Sequence, residues 1–406
     1  MTKQILFSMF VGIKNIEMKY IKRIVWLIFA LILLLIIGLK LTGYDYILKA
    51  AKVIYPQGHI TAFIDDSRFF PVRKIKNGKI WEWPEHKYFN KIKPTDSLLE
   101  EHKKMKTVAF LIIKNDSLFS ENYYRGYHKD SLSNSFSMAK SFLATCIGVA
   151  IDEGKIHSAD QKVSDFLPWF NTGKLNQQLT IKDLLTMSSG IDYGESYSNP
   201  FGFQAKAYYG HDLRSLVKNY EVKKEPGTLW KYEGGNSILL GMILEKATGK
   251  TVSDYFSEKI WSKIGTSQSA FWNLDDEGGM EKTFSAIYSN ARDFARMGKL
   301  YLNRGKWNSE NLVSSSYINQ SLTPVNIKNK EGETVDYYGF HYWLGNYHGK
   351  KFFGPRGMRG QYIIVIPDDN LIIVRLGHER PKTRKNHLST DTFDYIDEAY
   401  RLIDKN

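Results

Sequence analysis

A single cysteine, Cys146, stands among the 406 residues, so no disulfide can form within the chain and zinc sites built on several cysteines are excluded. The ten histidines are scattered, with no H-E-x-x-H or H-x-H pairing, and no metal centre is expected. Proline is scarce, at 11 residues, and neither a Gly/Ser-rich nor a Pro-rich linker divides the chain. No internal repeat with a period of about 20 to 50 residues is visible. No G-x-S-x-G elbow occurs, and Gly249-Lys250-Thr251 lacks the glycine a phosphate loop needs, because Leu244 stands five positions earlier. Acidic residues are outnumbered, 43 against 56 Lys and Arg, for a formal charge of +13. Residues 1–52 hold eight Lys/Arg against Glu17 and Asp45, so the remaining 354 carry only +7. With no Lys/Arg-rich run, this mildly basic body is read as a solvated surface and no nucleic-acid partner is expected.

What is present is apolar and aromatic: 43% hydrophobic and 14% aromatic residues with 24% charged, the composition of a globular chain with a large core. Ile24 to Leu39 run sixteen residues without a charge, IVWLIFALILLLIIGL. As a helix they would span about 24 Å at 1.5 Å per residue, close to the roughly 30 Å of a bilayer core, with Lys22, Arg23 and Lys40 placed to snorkel. Lys3, Lys14, Lys19, Lys22 and Arg23 precede them against one Glu17, so the positive-inside rule expects residues 1–23 as a cytoplasmic tail, 24–41 as a single-pass transmembrane anchor and the body outside. A signal peptide shares this pattern, but LKLTGYDY after the run offers no A-x-A-like cleavage site.

Residues 42–104 are aromatic and basic with little periodicity and are expected as a lead-in packed on a main domain, 105–406. There, TVAFLII and SLFSENYY flank Asn115-Asp116, and QYIIVI and LIIVRL flank Pro367 to Asn370, predicting two hairpins. Helical spacing is expected over Ser137–Glu153, Ser237–Ala247, Ala291–Leu302 and Asp391–Lys405. The order predicts an α+β fold, an antiparallel sheet closed by the N- and C-terminal hairpins around a helical insertion.

Ser137-Met138-Ala139-Lys140 opens an apolar helix, and residues i and i+3 share a face, so the Lys140 amine should lie one turn from the Ser137 hydroxyl. A partly desolvated lysine can take the hydroxyl proton, and free N–H groups at a helix start can hold an oxyanion. The same spacing recurs at Ser215 and Lys218, without an apolar helix behind it, and S-x-x-K alone is a weak signal. Five stretches occur in order: FSMAKSFLATCIGVAIDEGKI, LTIKDLLTMSSGIDYGESY, PGTLWKYEGGNSILLGMILEKATGKT, FSAIYSNARDFARMGKLYLNRGKW and RGMRGQYIIVIP. Together they resemble the serine β-lactamase and penicillin-binding superfamily over about residues 105–405, and within it the class C-related esterase and 6-aminohexanoate-dimer hydrolase group.

The resemblance implies Ser137 as nucleophile, Lys140 as its base and Tyr232 as the relay to the leaving group. It implies an oxyanion hole from the Ser137 and Met358 N–H groups, with Gly357, Arg359, Gly360 and His378 around the substrate and Arg356 as an alternative to Arg359. Two departures stand out. Many relatives have Asn two residues after the tyrosine, where this chain has Gly234, and no K-[ST]-G occurs anywhere, its place being taken by Gly357-Met358-Arg359-Gly360-Gln361. Hydrolysis of esters or small amides without a cofactor is therefore expected ahead of β-lactamase or D-alanyl peptidase activity, with a catalytically silent envelope protein as the remaining alternative.

Overall fold

The computed structural model describes residues 2–404, with side chains from Met18 onward; Lys3, Lys14 and Glu17 of the expected basic tail thus lie outside the described side chains. No proline occurs before Pro56, and one helix runs Thr2–Leu41. It ends where Gly43 takes a positive φ of 71° and the Thr42 hydroxyl caps the Gly38 carbonyl at 2.7 Å. Its stretch Met18–Leu41 is long and apolar enough to cross a membrane, and none of it is buried against the body. A signal segment near an N-terminus shares that description.

The lead-in is more than a strap. After a short helix, Tyr46–Ile54, the strand Val72–Ile75 pairs antiparallel with Ala270–Asn273. That pair continues through Ile287–Ser289 to Ser133–Asn134, a four-stranded sheet directly ahead of Ser137. Thr95 caps the helix Asp96–Lys104 by accepting the Leu98 N–H, and the helix buries Leu98 and His102 beneath the larger sheet.

In that seven-stranded sheet the two expected hairpins, Thr107–Lys114 with Ser117–Tyr123 and Gln361–Ile366 with Leu371–Gly377, lie side by side, 107–114 pairing with 371–377. A further hairpin, Trp343–Tyr347 with Lys350–Gly354, extends it. Successive residues of the first strand serve opposite layers: Leu111 and Ile113 pack with the helices Met138–Asp152 and Ala291–Leu302, Phe110 and Ile112 with Asp391–Asp404. Period-two alternation with both faces apolar is what a central strand covered on both sides requires. Gly298 lets the Ala291–Leu302 helix come close to the sheet, since a Cβ there would lie 2.9 Å from Ile363. The architecture is α+β, antiparallel sheets flanked by helices.

Candidate active site

The turn that presents Ser137 is held from behind. Asn134 is buried; its Oδ1 accepts the Phe136 N–H at 2.8 Å and its Nδ2 donates to the Tyr288 and Tyr208 hydroxyls at 2.8 and 3.1 Å. Both phenols in turn donate to Asp66 of the lead-in, whose carboxyl is held above its usual range chiefly by burial. Phe136 is forced to φ +45°, a conformation a bulky residue adopts at a cost of about 1 to 3 kcal/mol. Ser137 follows at the N-cap position, yet its side chain accepts no capping bond and stays half-exposed. Its Oγ is instead 3.1 Å from Lys140 Nζ, which also donates to the Phe284 carbonyl at 2.6 Å. Lys140 is buried and makes no ion pair with a carboxylate among the described residues.

Tyr232 comes from the link between the strand Leu229–Trp230 and the helix Gly235–Thr248, with its ring centre 5.1 Å from Lys140 Nζ. Trp343 and Tyr338 flank it at 5.7 and 6.1 Å. Gly234 donates its N–H to the Glu195 carboxylate and, as glycine, offers no side chain. His341 was not foreseen. It is buried, 3.1 Å from Ser237 Oγ, and pushed down to about 3 by burial and by the nearby Lys140 charge, so its imidazole is neutral. No local sequence pattern marks it.

The turn after Arg356 docks against the one before Ser137. A Cβ on Gly357 would lie 2.2 Å from the Ser135 carbonyl, so only glycine permits this approach, which brings Met358 alongside Ser137. Neither the Ser137 nor the Met358 N–H has a hydrogen-bond acceptor among the described residues. Gln361 Nε2 bridges the Met358 and Gly377 carbonyls at 3.0 and 2.6 Å. The buried Arg375 donates to the carbonyls of Arg359 and Gly360, each at 2.9 Å. A Cβ at Gly360, φ +83°, would lie 2.1 Å from that guanidinium.

Arg359 and His378 stand apart from the substrate space expected for them. Arg359 donates to the carbonyls of Ala62 and His378 at 2.8 and 2.9 Å, tying the lead-in to the sheet, and lines neither cavity at Ser137. His378 packs edge-on to Tyr127 and is pushed down to about 4, first by burial and then by neighbouring arginines. Arg356, unlike Arg359, lines the larger cavity at Ser137. Ser215 is exposed on the helix Leu213–Lys218, where its N–H is capped by Asp212.

Two cavities meet at Ser137, of about 570 and 330 Å³, both bordered by Tyr197 and Met358. A groove of about 610 Å³ opens at the far end of the Met138–Asp152 helix, where Lys259 and Lys263 are already paired with Glu153 and Glu310. Among the described residues no cluster of His, Cys, Asp and Glu fits a metal ion.

The 6-aminohexanoate-dimer hydrolase of Paenarthrobacter ureafaciens is 27% identical over 303 residues, 69% of this chain and 75% of its own. A solved structure described as "Putative 6-aminohexanoate-dimer hydrolase from Bacillus anthracis" superposes with a TM-score of 0.72 at 22% identity, covering 84% of this chain and 94% of that one. A family VIII carboxylesterase structure shares the fold at TM-score 0.60 and 18% identity, over 75% of this chain and 95% of that one. The Beta-lactamase family model matches residues 95–391, a span that holds Ser137, Lys140, Tyr232 and Met358, and the chain belongs to that family of hydrolases.

Proposed function

We propose that this chain is a membrane-anchored serine hydrolase that cleaves ester or small amide bonds through an acyl-enzyme. The observation that carries the reading is the contact of Lys140 Nζ with Ser137 Oγ at 3.1 Å, made by a buried lysine with no carboxylate partner among the described residues. The Ser137 hydroxyl gives its proton toward Lys140 Nζ as Oγ adds to the carbonyl carbon. The oxygen that becomes negative lies toward the Ser137 and Met358 N–H groups, which have no acceptor among the described residues. Tyr232, beside Lys140, passes a proton to the departing alcohol or amine, and water opens the acyl–Oγ bond with the same groups in reverse. Hydrolysis of a 6-aminohexanoate dimer, which the name of the relative from Paenarthrobacter ureafaciens states, agrees with this chemistry. The hairpins at either end of the family domain are read as closing the sheet around a helical insertion, and the apolar N-terminal helix as an uncleaved anchor with the body outside the cytoplasm.

Gly234 and the absence of K-[ST]-G remove two groups that would orient a lactam, at about 1 to 3 kcal/mol each. The full chain should therefore hydrolyse p-nitrophenyl acetate or butyrate measurably and nitrocefin little. Ser137→Ala should lower ester turnover by on the order of 10⁴-fold and abolish labelling by a fluorophosphonate probe. Undiminished turnover in that variant, or loss of turnover in Ser215→Ala instead, overturns the assignment. A kcat/KM for nitrocefin above that for both esters overturns the substrate class alone.

A further inference from the structure

The two cavities at Ser137 differ in chemistry. The smaller one has an apolar wall, Ala50, Ala51 and Ile54 of the helix Tyr46–Ile54 facing Phe136, with a polar margin that includes Ser196, Ser198 and Asn199, and no charged side chain lines it. This wall is fixed in place, since the Tyr46 hydroxyl donates to the Pro200 carbonyl at 3.1 Å and the Tyr44 ring meets Phe201 edge-on at 5.8 Å. The larger cavity contains Arg356, Arg380, Lys382, Arg384 and His387, with no Asp or Glu in its lining. His387 faces Glu333 at 3.9 Å, whereas the three arginines and Lys382 make no ion pair among the described residues. Arg356 sits between the Trp343 and Tyr362 rings, its Nε buried without a hydrogen-bond partner. Arg380, Lys382 and Arg384 are exposed and Arg356 is half-buried, so this wall presents charge of one sign to the cavity and favours a ligand that carries the opposite sign.

Resting on the hydrolase reading above, we infer that the substrate is an anionic amphiphile: an ester joining an aliphatic acyl chain, seated in the pocket walled by the Tyr46–Ile54 helix, to an alcohol that carries a negative charge and lies among Arg356, Arg380 and Lys382. The arrangement sets the direction of the reaction. The acyl carbon forms its bond to Ser137 Oγ while its bond to the alcohol oxygen breaks; that oxygen leaves with a proton on the cationic side. Water then divides the acyl–Oγ ester into a fatty acid and free Ser137, so one ester and one water yield one acid and one alcohol. Residues 42–45 are all that separate the apolar helix from the helix that walls the pocket, which places the acyl side of the site next to the proposed anchor.

The test uses the full chain in detergent with esters of acetic, butanoic, hexanoic and octanoic acid, each made with 4-nitrophenol and with the anionic 4-hydroxy-3-nitrobenzoate. Each added methylene should raise kcat/KM about 3- to 4-fold until the pocket is full. The anionic series should exceed the neutral one about 10-fold at low salt and lose that lead in 0.5 M salt, where charges are screened beyond about 4 to 5 Å. Ala51→Trp, at a half-exposed position, should cut the octanoate-to-acetate ratio at least 10-fold, and Arg380→Glu should cut the anionic-to-neutral ratio as much. In phosphatidylcholine vesicles containing acyl lysophosphatidylglycerol, fatty acid release would assign the substrate to the bilayer; turnover of the dissolved esters alone would assign it to solution. Hydrolysis that is indifferent to chain length and charge in the unaltered protein overturns this inference and leaves the hydrolase reading standing. Failure of the unaltered protein to turn over any ester or take up a fluorophosphonate overturns both.

Discussion

At the scale of single residues, the site depends on groups that never touch the reacting atoms. Gln361 ties the Met358 carbonyl to the Gly377 carbonyl, and through its Oε1 accepts the Gly377 N–H at 3.1 Å, which fixes the plane of the peptide next to the proposed oxyanion site. Gln361→Leu removes all three bonds, leaves buried carbonyls unpaired and frees that turn to rotate. It should lower kcat about 10- to 100-fold with KM changed less than 3-fold, because the loss falls on charge that develops only during reaction. Equal losses in kcat and in folding stability with a parallel rise in KM would mark Gln361 as ordinary core. Ser137 and Lys140 were legible because their spacing is local and the motifs around them come in a fixed order. His341 and the cationic residues 380–387 were not, since what makes them matter is approach across the fold from segments more than a hundred residues away.

At the scale of elements, the helix Asp96–Lys104 buries His102 against the main sheet, 3.1 Å from Thr107 Oγ1. Burial, and secondarily the Arg375 charge, push this histidine down to about 3. An unfolded chain protonates it near 6.5, so between those limits the unfolded state takes up a proton that the folded ring refuses. Its contribution is complete above pH 6.5 and is lost as the pH falls toward 3. His102→Gln keeps a partner for Thr107 and cannot titrate, so the slope of unfolding free energy against pH between 6 and 4 should be shallower by close to one proton. Parallel curves for the two proteins in thermal or urea melts would show that the ring titrates normally. Hairpins at 107–123 and 361–377 announced themselves through β-branched runs around turn residues, and the long apolar helices through their spacing. The strand Val72–Ile75 and the hairpin Trp343–Gly354 were missed. The first is four residues long and takes its identity from a partner two hundred residues on; the second mixes Gly, Asn and Lys, whose strand preference is poor.

At the scale of the whole molecule, the charge asymmetry of the sequence and the bare apolar helix set one expectation. The protein should stay with the membrane pellet in high salt, and protease added to intact spheroplasts should digest the body beyond Lys40. Recovery of a shortened soluble form would identify the apolar helix as a removed signal segment, and protection of the body would reverse the topology.

The brevity of the connection at residues 42–45 has a kinetic meaning. Four residues reach about 14 Å at full extension, so an anchored body has almost no leash. Its search for substrate would be confined to a surface, and doubling the crowding of an ester on that surface would double encounters, whereas diluting the same vesicles tenfold in buffer would leave the rate per protein unchanged. An enzyme set free by cutting within residues 42–45 would respond to dilution instead.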